Sequence, residues 1–177
     1  MILFGGNWAD LVAAMVVGSL IGLLSIVRPL GLVGQLFEAI VAVVASLATY
    51  LLAKLFPELN VGVIIISSLI IFMPGLFITI AIAEIATNNL VSGTARLVGG
   101  VMILLKLTFG VFIGNKIASW FHYPPPNVTF GAIPDYVSYL TLPVTAFMAV
   151  INFKANRADW KWVTLAGNFG FLCSKLG

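Results

Sequence analysis

The chain has 177 residues, 61% of them hydrophobic and only 8% charged, with a mean hydropathy of +1.13. Soluble domains carry about a quarter charged residues, so this composition excludes a soluble globular protein and identifies an integral membrane protein. The net charge of +3 reports loop charge and topology, because no basic tract with interleaved aromatics is present to bind nucleic acid.

One cysteine, Cys173, and one histidine, His122, leave no internal disulfide and no Cys- or His-based metal cluster, and no cofactor is expected. The N-terminal segment MILFGGNWAD has no basic n-region and carries Asp10 before its first apolar run, so the first span is expected to be retained.

That first span is expected over Leu11–Val27, closed by Arg28-Pro29, with Gly18 and Gly22 as a small-xxx-small pair for close internal packing. A second runs from about Gln35 to Ala53, with Glu38 near its start at the predicted interface and small residues at Ala42, Ala45, Ser46 and Thr49. A short turn over 56–60 follows, in which Asn60 can cap the next helix.

Leu59 to Ala83 contains no charge, the longest such run in the chain, and Pro74-Gly75 divides it. Proline removes a backbone donor and clashes with the preceding turn, so the span should break there and free backbone carbonyls. In membrane transporters such breaks mark substrate or ion sites.

The second limb is expected from Leu76 to about Leu90, where Glu84, Asn88 and Ser92, spaced four apart, form one polar stripe with Thr79 and Thr87 beside it. Ser92-Gly93 is the expected turn, and the fourth span runs from Leu97 to about Ala118. Within it Lys106 shares an arc with Arg96, Gly99, Ile103, Gly110 and Gly114, which aims the lysine into protein. If Arg96 marks the interface, Lys106 lies near mid-membrane, roughly 15 Å along the helix.

An aromatic and proline-rich linker is expected over 119–134, then a fifth span from Asp135 to Phe153 and a basic loop of Lys154, Arg157 and Lys161. Trp162–Gly177 opens a sixth apolar segment, too short to span comfortably. Counting loop cations favours an external N-terminus, provided that the Pro74 break is not re-entrant.

Pro74-Gly75, Thr79, Glu84 and the string NNLVSGTAR over 88–96 together resemble the signature of the threonine/serine exporter (ThrE) family, which includes the paired YjjP and YjjB subunits linked to dicarboxylate export. The likeness covers roughly Val16 to Gly114. It implies a multi-pass protein of a bacterial-type inner membrane, an all-α bundle of about five to six transmembrane helices with a broken helix, and the first half of a two-repeat transporter. On that basis 1–118 is the first membrane repeat and 135–177 the incomplete start of a second. By the same resemblance, the soluble N-terminal domain of longer members is expected to be absent.

The resemblance implies export of a small polar metabolite, threonine- or serine-like or a dicarboxylate, with a substrate and proton pathway expected at Glu84, Asn88, Asn89, Thr79, Ser92, Arg96 and Lys106, and with Pro74 and Gly75 shaping the site. Glu84 is read as a proton carrier or substrate ligand, against the alternative of a carboxylate facing headgroups. Lys106 is read as a buried partner of Glu84 or of carbonyls freed at Pro74, and Arg96 as an interfacial anchor. The expected partners are lipid, a small-molecule substrate, and a second copy or paired membrane subunit. The rival reading is a structural or regulatory subunit that needs a partner chain. An enzyme ranks last, since Ser92 has no histidine nearby and Glu84 no second intramembrane carboxylate.

Overall fold

A computed structural model describes residues 6–26, 34, 36–121, 145 and 160–176. Every described element is helical: α1 (Trp8–Ile26), α2 (Phe37–Leu55), α3 (Val61–Leu69) prolonged by a 3-10 turn (Ile70–Phe72), α4 (Gly75–Ala86), α5 (Leu90–Trp120) and α6 (Trp160–Leu176). Helices rich in Val and Ile form here because a segment in lipid must satisfy its backbone hydrogen bonds internally. Three of them, α1, α2 and α5, are long and apolar enough to cross a membrane, and α3 with α4 makes a fourth candidate if the bent pair is one span. The linker and fifth span expected over 119–153 lie almost wholly outside the described residues, except that α5 continues through Trp120.

The contacts fix the helix directions. Asp10, in the first turn of α1, accepts the backbone N–H of Asn60 at 2.7 Å, so α1 and α3 begin at the same end and run parallel. The Phe37 and Phe72 rings meet edge-on at 6.2 Å, placing the start of α2 beside the end of the 3-10 turn and making α2 antiparallel to both. Along α5, Lys106 faces Glu38, Gly110 faces Ala39 and Ala42, and Gly114 faces Ser46, so α5 runs parallel to α2.

The bundle packs through small residues. Ala13, Val17 and Ile21 form the buried stripe of α1, and Val41, Ala42, Ala45, Ser46 and Thr49 bury the inner faces of α2. A methyl group added at Gly114 would stand 2.5 Å from the Ser46 Cβ, and one at Gly110 would strike the Ala39 carbonyl oxygen. Without a hydrophobic drive between helices in lipid, such close backbone approach supplies the van der Waals contact. Ser46 Oγ donates to Asn115 Oδ1 at 2.8 Å across the same seam, while the Thr49 and Ser68 hydroxyls return to their own helices at Ala45 O and Ile64 O.

The expected use of Gly18 and Gly22 is corrected: neither has another atom within 4 Å of where a Cβ would sit, so they pack against nothing in the described fold. The buried glycines within helices are on α5 instead. Asn60 does cap α3, its side-chain oxygen accepting from Val63 N at 3.3 Å.

Beyond the bundle, α4 and the first half of α5 form a hairpin. The α3–α4 axis bends by 54° at the break. Pro74 is the N-cap of α4, where a missing N–H costs nothing, and its carbonyl accepts from Ile78 N at 3.0 Å. Gly93 and Gly100 let α5 approach α4, at Ile85 and Ile78 respectively.

Candidate functional site

The polar residues of the hairpin are arranged by how α4 ends. Thr87 is its C-cap and Asn88 takes a left-handed φ of 62°. The Asn88 N–H donates to Ile85 O at 3.1 Å and the Asn89 N–H to Glu84 O at 2.9 Å, the pair of bonds of a Schellman cap with asparagine in the place usually held by glycine. Asn89 then serves as the N-cap residue of α5. The reversal therefore occurs over 87–89, not at Ser92-Gly93, and the continuous stripe through Glu84, Asn88 and Ser92 does not exist. Two consecutive asparagines after an apolar helix were the available signal, since asparagine tolerates the left-handed region and also favours N-caps.

The turn nevertheless brings Ser92 back to Glu84. Ser92 Oγ donates to Glu84 Oε2 at 2.9 Å. Arg96, one helical turn further along α5, donates through Nε to the same oxygen at 3.3 Å and places Nη2 3.1 Å from Oε1. This fork-to-carboxylate pairing fixes both side chains in a plane. The guanidinium also lies 5.3 Å from the centre of the Phe77 ring, which stacks it from the α4 side. Arg96, expected as an interfacial anchor, is thus paired with Glu84 within the hairpin. The pair is partly exposed in the described fold, 34% for the Arg96 side chain and 24% for Glu84.

Four other expected residues stand apart from this pair. Thr79 donates to Gly75 O of its own helix at 2.9 Å. Asn88 and Asn89 are exposed at the turn, where the Asn89 Nδ2 reaches Thr87 Oγ1 at 3.4 Å. Lys106 pairs with neither Glu84 nor the backbone freed at Pro74. Its Nζ lies 3.7 Å from Oε2 of Glu38, in the first turn of α2. The reason is register: α5 has left α4 by this point and packs on α2, ten residues beyond Arg96. Glu38, assigned a merely structural place from its position near a helix start, is the residue this geometry adds.

A cavity of about 340 Å³ lies between α2, α3 and α5, bounded by Tyr50, Ile65, Met73, Leu107, Thr108 and Asn115 among others. Its walls are almost entirely apolar, which suits a hydrocarbon chain better than a charged solute. No group of three or more His, Cys, Asp or Glu capable of holding a metal occurs among the described residues.

The family model described as "Putative threonine/serine exporter" matches residues 1–118, two thirds of the chain and all of the bundle and hairpin. The chain belongs to the ThrE family. Among the relatives of this ThrE-family chain, pheromone-regulated membrane protein 10 of Zygosaccharomyces rouxii is 25% identical over 162 residues, covering 89% of the chain and 16% of the relative. The protein of the same name from Kluyveromyces lactis is 28% identical over 130 residues, covering 71% of the chain and 14% of the relative. The chain therefore spans about a sixth of the length of these curated relatives. No solved structure matches it significantly.

Proposed function

We propose that this ThrE-family chain is a membrane subunit of a secondary transporter that exports small polar metabolites, amino acids of the threonine and serine kind or dicarboxylates, in exchange for protons. The observation that carries the reading is the Glu84–Arg96 pair, held beside a Pro-Gly break in a chain of an exporter family. Glu84 is the proton-carrying group. Protonation removes its attraction for Arg96, so the tip of the hairpin is then held by packing at Gly93 and Gly100 rather than by charge. Two arrangements of the hairpin that differ by one proton are what coupled transport requires.

The test is efflux of labelled threonine, serine and succinate from proteoliposomes, with and without a pH gradient, for the wild type and Glu84→Gln. Gradient-dependent efflux lost in the variant supports the reading. Efflux equal in both chains removes Glu84 from the coupling path.

A second reading, a half-transporter that requires a partner chain, is favoured by the hairpin itself. Of the twelve residues of α4 only Ala81 is buried, and Val91 and Val98 on α5 are 87% and 61% exposed. A solution mass in detergent larger than one chain, together with efflux that appears only in the larger species, supports it.

A further inference from the structure

The cavity between α2, α3 and α5 is an elongated groove with two unlike ends. On α5 its lining runs from Leu104 to Asn115, and on α3 from Val61 to Met73. Because α3 runs antiparallel to α5, Val61 and Asn115 fall at one end and Met73 and Leu104 at the other. At about 1.5 Å per residue the groove is roughly 16 Å long, about half of a hydrocarbon core of roughly 30 Å and so the depth of one leaflet. Ile66 and Met73 on its rim are 47% and 52% exposed, so it opens on the outside of the bundle, toward the bilayer. An apolar void of this size forfeits dispersion contacts along its lining unless an apolar group fills it, and water finds too few partners there.

Polar groups gather at the Asn115 end. The Asn115 Oδ1 accepts from Ser46 Oγ at 2.8 Å, while its Nδ2 has no partner among the described residues. The next residue, Lys116, is exposed, with its Nζ 6.0 Å from the centre of the Phe112 ring one turn back on the same helix. Trp120, 86% exposed, follows roughly 8 Å further along α5, which is about the thickness of the interfacial layer that holds lipid ester and phosphate groups. We propose that the groove seats one acyl chain of an anionic glycerophospholipid, whose ester carbonyl accepts from Asn115 Nδ2 and whose phosphate lies at Lys116. A cation beside an apolar groove at the interface selects an anionic headgroup over a zwitterionic one. The site is separate from Glu84 and stands independently of the export reading. A chain seated in it fills the space between α3 and α5 and so props the limb that leads into the Pro74 break.

The experiment is native mass spectrometry of the full chain released from nanodiscs of phosphatidylglycerol and phosphatidylcholine in equal amounts, both carrying a diazirine near the end of the acyl chain, with cross-linked peptides mapped after irradiation. One phosphatidylglycerol is expected to stay with each chain and to cross-link at Met73, Leu104 or Leu107. Thr108→Phe fills the groove from α5 and Gly62→Leu fills it from α3, where an added Cβ meets only Asn60 Oδ1 at 3.7 Å. Each should lower lipid retention by about tenfold and abolish those cross-links, and having one variant on each wall covers the case in which the other misfolds. Val98→Phe, on an exposed part of α5 outside the groove, should change neither. Asn115→Asp keeps an acceptor for Ser46 but replaces the donor with a negative charge, and should weaken retention; Lys116→Gln should erase the preference for phosphatidylglycerol. Absence of retained lipid, with cross-links spread over exposed apolar residues such as Val91, overturns the site and leaves only the surrounding bilayer. Retention unchanged in both groove-filling variants overturns it too, as does retention of a free fatty acid in place of a phospholipid. Equal retention of the two lipids by the wild type overturns the anionic headgroup. A retained mass equal to a second chain, lost in Thr108→Phe, would make the groove a protein interface and overturn the lipid.

Discussion

The carboxylate of Asp10 is fully buried and accepts the backbone N–H of Asn60 through Oδ1 and that of Asn7 through Oδ2, each at 2.7 Å. It lies at the N-terminal ends of two parallel helices, α1 and α3, whose dipoles both favour a negative charge there. A single side chain thus holds α1 and α3 in register across fifty residues of sequence.

Removing that acceptor should loosen the bundle. Asp10→Ala leaves two backbone donors without their partner, one of them buried with Asn60, at a cost of about 1–3 kcal/mol. Asp10→Asn, which keeps one acceptor oxygen, should cost less. Thermal unfolding in detergent measures both, and equal midpoints for wild type and Asp10→Ala would contradict the clasp.

The seam between α2 and α5 should tolerate no added volume. Gly110→Ala puts a methyl group into the Ala39 carbonyl and the Ala42 side chain, and should destabilise by about 1–3 kcal/mol. Gly18→Ala, with open space around it, should lie within about 0.5 kcal/mol of wild type in the same assay. A reversed order of the two would place the close contact elsewhere.

Asn88 should behave as a left-handed cap. At φ 62° an alanine is strained by about 1–2 kcal/mol, whereas glycine adopts the conformation freely. Asn88→Gly should therefore match or exceed wild-type stability and Asn88→Ala fall below it. Hydrogen exchange at the Asn89 amide, which closes the cap on Glu84 O, reads the local effect.

Function and stability should separate at Glu84. The pair with Arg96 is partly exposed and screened by its surroundings, so Glu84→Gln should change stability little. On the export reading it should lower gradient-driven efflux at least tenfold. Ser92→Ala, which removes one of the hydrogen bonds to the carboxylate, should have a smaller effect on efflux. Ser92→Ala as damaging as Glu84→Gln would show that the hydroxyl, not the charge, is what the pathway uses.

Composition alone settled that the chain lives in a membrane, because 8% charged residues cannot solvate a folded surface. Local chemistry placed the break at Pro74-Gly75 and the cap at Asn60, since a missing N–H and a short amide side chain act on their immediate neighbours. Helical spacing also put Lys106, Gly110 and Gly114 on one face of α5, and that face is the one that meets α2.

Which charge meets which was decided by the tertiary structure. Spacing of four residues suggested a stripe through Asn88, but a single left-handed residue reversed the chain and brought Ser92 and Arg96 back to Glu84 from another helix. Lys106 found Glu38, and Asp10 the amide of Asn60, at separations that no local period encodes. The partners of Glu84 and Lys106 depend on where glycines let α5 leave α4 for α2, and a backbone's close approach to another helix is a property of the pair of surfaces, not of either sequence taken singly.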